Sequence, residues 1–153
     1  GFHHAGWDRA ADFCTFNGLM VAALALRAER PGLRVGILDY DYHYGNGTDD
    51  ILDRVGREGI VHITAGERWH HDADPRAFLD NIHHDLQAMA RCDLVLYQAG
   101  ADPHVDDPLG GFLTTQQLAM RDWRVFAGLR EMGIPVAWDL AGGYQDPLAK
   151  VVG

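Results

Sequence analysis

The chain has 153 residues, 47% of them hydrophobic and 23% charged, a composition that builds a packed core and excludes intrinsic disorder. Lys and Arg number 13 against 22 Asp and Glu, a formal charge of -9, which argues against direct nucleic-acid binding or attraction to anionic lipid. No apolar run approaches the roughly 20 residues that span a bilayer, so no membrane segment is expected.

Taken in chain order, residues 14–29 are rich in Ala, Leu and Met and predict a mostly buried helix that Pro31-Gly32 stops. Arg34 to Tyr40 is a short apolar run with β-branched members, the pattern of a strand covered on both faces. Thr48-Asp49-Asp50 offers a cap and an acidic first turn for a helix to about Arg57. Ile60 to Thr64 predicts a second strand, and Pro75 to Arg91 a helix with proline at its start. Asp93 to Ala99 predicts a third strand. Thr114 to about Met132 predicts an amphipathic helix capped by Thr114 or Thr115 and closed by Gly133, and Pro135 to Leu140 a fourth strand.

This alternation implies an α/β fold: three α/β/α layers around a mainly parallel sheet, with right-handed crossovers. Sites in such sheets form beyond the C-terminal ends of the strands. The chemically unusual residues fall there: Asp39, Asp41 and His43, then Thr64, then Gly100 to Asp102, then Gly142 to Tyr144.

The strongest local signal is Asp39-Tyr40-Asp41-Tyr42-His43-Tyr44-Gly45-Asn46-Gly47. In extended backbone, residues two apart share a face, so Asp39, Asp41 and His43 point one way and the two tyrosines the other. Two carboxylates and an imidazole are costly to bury unless they pair or hold a cation, and both groups are normal zinc ligands. A polar turn with a capping Asp is the alternative, and the collinear triplet followed by Gly-Asn-Gly weighs against it. Asp102, just past the third strand, offers a third ligand. His3 and His4 offer proton transfer, and Tyr144 a phenol beside a Gly-rich turn. The other pairs, His70-His71 and His83-His84, read as solvated, and Tyr97 as structural. Two cysteines, Cys14 and Cys92, make no disulfide framework and suit a reducing, cytoplasmic compartment.

Read together, Gly1-Phe2-His3-His4-Ala5, Phe13-Cys14-x-x-Asn17, Asp39-x-Asp41-x-His43-x-Gly45-Asn46-Gly47-Thr48, Gly100-Ala101-Asp102, Asp107-Pro108-Leu109-Gly110 and Gly142-Gly143-Tyr144 resemble the zinc-dependent histone deacetylases and acetylpolyamine amidohydrolases. The resemblance implies the arginase–deacetylase fold and removal of acetyl groups from lysine in proteins. Acetylated polyamines or other small acylated amines are the alternative substrates, and a non-catalytic binding module on the same fold is a further one. It implies Asp41, His43 and Asp102 as zinc ligands and His4 as the base that activates water and protonates the leaving amine. His3 stays cationic and pairs with Asp39, Asn46 orients His4, and Tyr144 donates to the amide carbonyl. A structural potassium ion is implied at Asp39, Asp41, the His43 backbone and Thr64, and Phe13 lines the substrate channel. Gly-Asn-Gly-Thr is similar to the class II enzymes and their bacterial relatives.

The sequence departs from that family in three places. Asp12 replaces a glycine at the channel rim. The loop after the second strand reads Thr64 to His71, which leaves Trp69 as a guess for the opposite wall. Residues 1–153 are expected to be a single deacetylase-like domain truncated at the N-terminus and at the C-terminus. A binuclear ureohydrolase needs a carboxylate two residues past His43, where Gly45 stands, and no G-x-G-x-x-G supports a dinucleotide site.

Overall fold

The computed structural model describes residues 2–147 and residue 149. Its elements run α1 (Gly18–Glu29), β1 (Val35–Asp39), α2 (Asn46–Val55), β2 (Ile60–Thr64), a 3-10 turn (Ala65–Glu67), α3 (Pro75–Ala88), β3 (Leu94–Gly100), α4 (Thr115–Glu131) and β4 (Val136–Ala141). Among the described residues no helix is long and apolar enough to cross a membrane.

All four strands are parallel, in the order β2-β1-β3-β4. The chain leaves β1 for β2 on one side and returns to β3 on the other. With right-handed crossovers, that reversal puts α2 on one face of the sheet and both α3 and α4 on the other. Tyr97, Leu38, Phe78, Leu86, Val125 and Leu129 fill the face under α3 and α4, while Ile37, Leu96, Leu19, Met20, Ile51 and Leu52 fill the face under α1 and α2. β1 is buried on both faces, as its unbroken apolar run requires. β2 and β4 are the outer strands, and Trp138 and Leu140 on β4 are 56% and 65% exposed.

Two helix starts differ from the sequence expectation. The first helix begins at Gly18, not residue 14, because Asp12 and Phe13 take left-handed backbone conformations (φ 43° and 63°). Asn17 supplies the cap, its side chain accepting from the Met20 amide at 3.1 Å. Thr48 is no cap either, since α2 starts earlier, at Asn46, with Gly45 before it. Thr48 is fully buried inside the helix, accepts from Asn17 Nδ2 at 3.0 Å, and donates its amide to the His3 carbonyl at 3.1 Å. Asn17 and Thr48 thus brace each other across the chain. The third helix stops at Ala88, short of Arg91, with Met89 buried at its end. Thr114 does cap α4, in a reciprocal capping box with Gln117.

Trp69 packs into the core under α3, its ring edge-on to Phe78 at 5.5 Å.

Candidate metal and catalytic site

The reversal in strand order opens a crevice at the C-terminal ends of β1 and β3, the usual place for a ligand in such a sheet. Asp41 and His43 lie just past β1 and Asp102 just past β3, so the crevice has both walls armed. His43 Nδ1 lies 2.8 Å from Asp102 Oδ2 and 3.1 Å from Asp41 Oδ1. One ligand-capable atom from each of the three lies within 4.8 Å of the others, so together they form a candidate metal site. Asp41 and Asp102 are buried, while His43 is partly exposed. Glycine is required here: a Cβ at Gly100 would collide with the Asp41 Cα, and one at Gly142 (φ 57°) with the Asp102 carboxylate.

The electrostatics suit a cation. The hydrogen bond with Asp102, then that with Asp41, raises the His43 imidazole to about 10. Burial pushes Asp102 up, aided by the Asp41 charge and opposed by its bond to His43. Burial also works against Asp41, but its hydrogen bond with His43 and the nearby His3 hold it below the ordinary carboxylate value. Two carboxylates of unlike proton affinity thus face one imidazole. A divalent ion entering among them displaces a proton. The donor set of one imidazole nitrogen and two carboxylate oxygens fits zinc, with one position left open.

Behind this cluster, Asp39 is fully buried and accepts three hydrogen bonds: from His3 Nδ1 at 2.6 Å, Gln98 Nε2 at 2.9 Å and the Asp41 amide at 3.1 Å. Burial pulls the His3 imidazole down, but the Asp39 charge and hydrogen bond outweigh it, so His3 titrates above its ordinary value. His3 Nε2 comes within 3.5 Å of Asp41 Oδ1. His4 Nδ1 pairs with Asn46 Oδ1 at 2.8 Å. Asn46 Oδ1 can only accept, so Nδ1 is the donor of this bond, and in the neutral ring Nε2 then carries the lone pair. The two rings lie 4.1 Å apart, with His43 6.0 Å from His4.

Tyr144 follows the Gly142-Gly143 turn after β4, its amide donating to the buried Asp107 at 2.8 Å. Burial, then the charges of Asp41 and Asp102, raises its phenol to about 12, so it keeps its proton. The Phe13 ring stands 6.2 Å from Tyr144 and is 88% exposed, while Asp12 beside it is exposed. Thr64 is paired in register with Asp39 and accepts from the Gly45 amide at 3.1 Å. Gly66 presses against the His43 carbonyl, where any side chain would clash.

The histone deacetylase domain family matches residues 1–64, the stretch holding His3, His4, Asp39, Asp41, His43 and Asn46. Histone deacetylase 2 of Arabidopsis thaliana is 31% identical over 176 residues, covering 99% of this chain and 44% of the plant protein. The chain belongs to the histone deacetylase family. An uncharacterized protein of Picosynechococcus sp. is 32% identical over 169 residues, covering 99% of this chain and 56% of its own length. The chain therefore spans about half the length of these curated relatives. In fold it is similar to the crystal structure of acetylpolyamine aminohydrolase from Burkholderia pseudomallei, with TM-score 0.79 and 24% identity, covering 97% of this chain and 50% of that one.

Of the residues that the deacetylase resemblance singled out, His3, His4, Asp39, Asp41, His43, Asn46 and Asp102 come together in one connected cluster. Tyr144 and Phe13 stand as a pair at its border. Sequence reasoning assigned no role to Gln98, Asp107 or Arg121. Gln98 and Asp107 belong to stretches read as strand and motif. Arg121 carries a signal of its own: it interrupts the apolar stripe of Leu118, Val125 and Leu129 on α4, where a charge is out of place.

Proposed function

We infer that the chain carries the metal-binding part of a zinc-dependent amidohydrolase, which removes acetyl or related acyl groups from lysine side chains or similar amines. The observation that supports this most is the convergence of Asp41, His43 and Asp102 beside a histidine with one ring nitrogen free. In this reading those three hold a single zinc, which supplies Lewis acidity toward the amide carbonyl and lowers the pKa of water at its open position. Gly45, where a bridging carboxylate would have to stand, favours one metal over two.

His4 takes the proton of the attacking water on Nε2 and delivers it to the leaving amine, with Asn46 keeping the ring aligned. Asn46 is a neutral amide, so it orients the imidazole and adds no charge to its basicity. His3, held by Asp39 and titrating above its ordinary value, contributes positive charge where the carbonyl oxygen becomes negative. Tyr144 keeps its proton and donates it in a hydrogen bond to that same oxygen. Phe13 flanks the slender acyl-amine chain from the side of Tyr144. Oxygens of Asp39, Asp41, the His43 backbone and Thr64 suit a potassium ion, a hard cation that prefers such ligands.

The substrate class is an acylated amine: acetyl-lysine in a protein or an acetylated polyamine. The charge of -9 and the exposed Asp12 beside Phe13 favour a cationic substrate. One zinc per chain by metal analysis, lost in Asp102→Ala, is the expected result. Two manganese ions per chain, or full zinc occupancy in Asp102→Ala, would overturn the assignment.

A further inference from the structure

We propose that Arg121 is a positioning residue for the metal ligands: its buried guanidinium sets the gap between the ends of β1 and β3, and with it the spacing of Asp41 and Asp102. The proposal rests on reading those two carboxylates as zinc ligands.

Arg121 lies on α4, yet its side chain is only 2% exposed. Nη1 donates to the Gly100 carbonyl at 2.7 Å and to the Tyr40 carbonyl at 3.1 Å. Gly100 is the last residue of β3 and Tyr40 the first beyond β1. Asp41 follows Tyr40 directly, and Asp102 stands two residues after Gly100. A single nitrogen thus ties together the two backbone segments that carry the carboxylates, from the face of the sheet opposite His3. Nε donates to Asp122 Oδ1 at 2.8 Å, and the buried Tyr97 hydroxyl donates to the same oxygen, which locks the fork in place. A buried guanidinium carries a high desolvation cost, so a neutral side chain would fill a purely packing role better. What the charge adds here is stronger bonds to both carbonyl oxygens, and a positive field that reaches Asp102.

Arg124 provides the control. One turn further along α4, its Nη1 donates to the Leu79 carbonyl at 2.6 Å and ties α4 to α3, with no link to the crevice. Zinc affinity is measured by competition with a chromophoric chelator for the unsubstituted protein, Arg121→Met, Arg121→Lys and Arg124→Met. Thermal melts and backbone amide exchange of the metal-free proteins accompany it. Loss of a group that orients metal ligands should weaken zinc about 10–100-fold in Arg121→Met, while Arg124→Met stays within about twofold. Arg121→Lys keeps a cation but lacks the rigid fork, so it should also fall at least about tenfold short. It carries the test if Arg121→Met fails to fold. Exchange at the Asp41 and Asp102 amides should quicken in the Arg121 variants and not in Arg124→Met.

Unchanged zinc affinity in both Arg121 variants, or equal weakening in Arg124→Met at an equal melting loss, would overturn the proposal. Failure of the unsubstituted protein to bind zinc would instead overturn the reading of the site. The exchange measurement still decides Arg121's role in that case, because unquickened amides at Asp41 and Asp102 would show that it positions neither.

Discussion

Replacing Asp39 by Asn changes one atom in the residue on which the candidate site rests. The carboxylate is fully buried, and its two oxygens serve three donors: Asp41 N and Gln98 Nε2 on Oδ1, His3 Nδ1 on Oδ2. An asparagine offers one oxygen and one NH2. Keeping its oxygen toward Asp41 and Gln98 turns the NH2 onto His3, donor against donor. His3 must then shed its Nδ1 proton, and with it the charge that Asp39 sustains. A hydrogen bond to a charged group is worth about 1.5–3 kcal/mol, and breaking a buried ion pair from one side costs about 3–5 kcal/mol. The second figure applies, since neither partner reaches water. At about 2–4 °C per kcal/mol for a chain of this size, the melting temperature should fall by roughly 6–20 °C. Asp53→Asn is the comparison, because Asp53 is 69% exposed and pairs with Arg57 across one helical turn. Such a pair contributes under about 0.5 kcal/mol. Thermal melts should therefore separate the two variants widely, and 15N NMR should show His3 Nδ1 without its proton in Asp39→Asn. Equal losses in both, with His3 Nδ1 still protonated, would refute the reasoning.

Tyr144→Phe should lower turnover of an acetyl-lysine substrate by about 10²–10³-fold with zinc retained, the usual effect of removing one donor to a developing oxyanion. Tyr97→Phe, whose buried hydroxyl serves Asp122, should instead lower the melting temperature; equal kinetic and melting losses in the two would make Tyr144 a packing residue. Asp139 is raised from 3.8 to about 6 by burial, then by the Asp39 charge, so the folded protein binds that proton more tightly than the unfolded chain. Stability then falls as pH rises from 3.8 to about 6, and Asp139→Asn should melt higher at pH 8 but not at pH 3. No gain at pH 8 would show that Asp139 meets a partner. Lys at both Trp138 and Leu140 should suppress self-association through the outer strand β4 by light scattering, since edge charges block strand pairing; unchanged scattering would refute this.

Much of the architecture was legible in the residues because the signals are local. Apolar runs such as Ile60 to Thr64 and the threonine cap of α4 act within a few residues, and both are found where expected. The alternation of Asp39, Tyr40 and Asp41 was legible for the same reason, since extended backbone puts every second side chain on one side. The aim of His43 was not, because β1 ends at Asp39 and the backbone bends at residues 41–43. Asp39 and Asp41 duly face His3, and Tyr40 turns into the opposite core. The starts of α1 and α2 were not legible: Asn17 and Thr48 take their places from each other and from the backbone of Ala5 and His3, far away in sequence. Nor was the convergence of Asp41 and His43 with Asp102, about 60 residues on, a separation that only the strand order β2-β1-β3-β4 closes. Arg121 marks the limit most clearly. Its sequence context announces only a charge on an apolar stripe, because the carbonyl oxygens that explain it belong to two strand ends some 20 and 80 residues away, brought together by the parallel sheet.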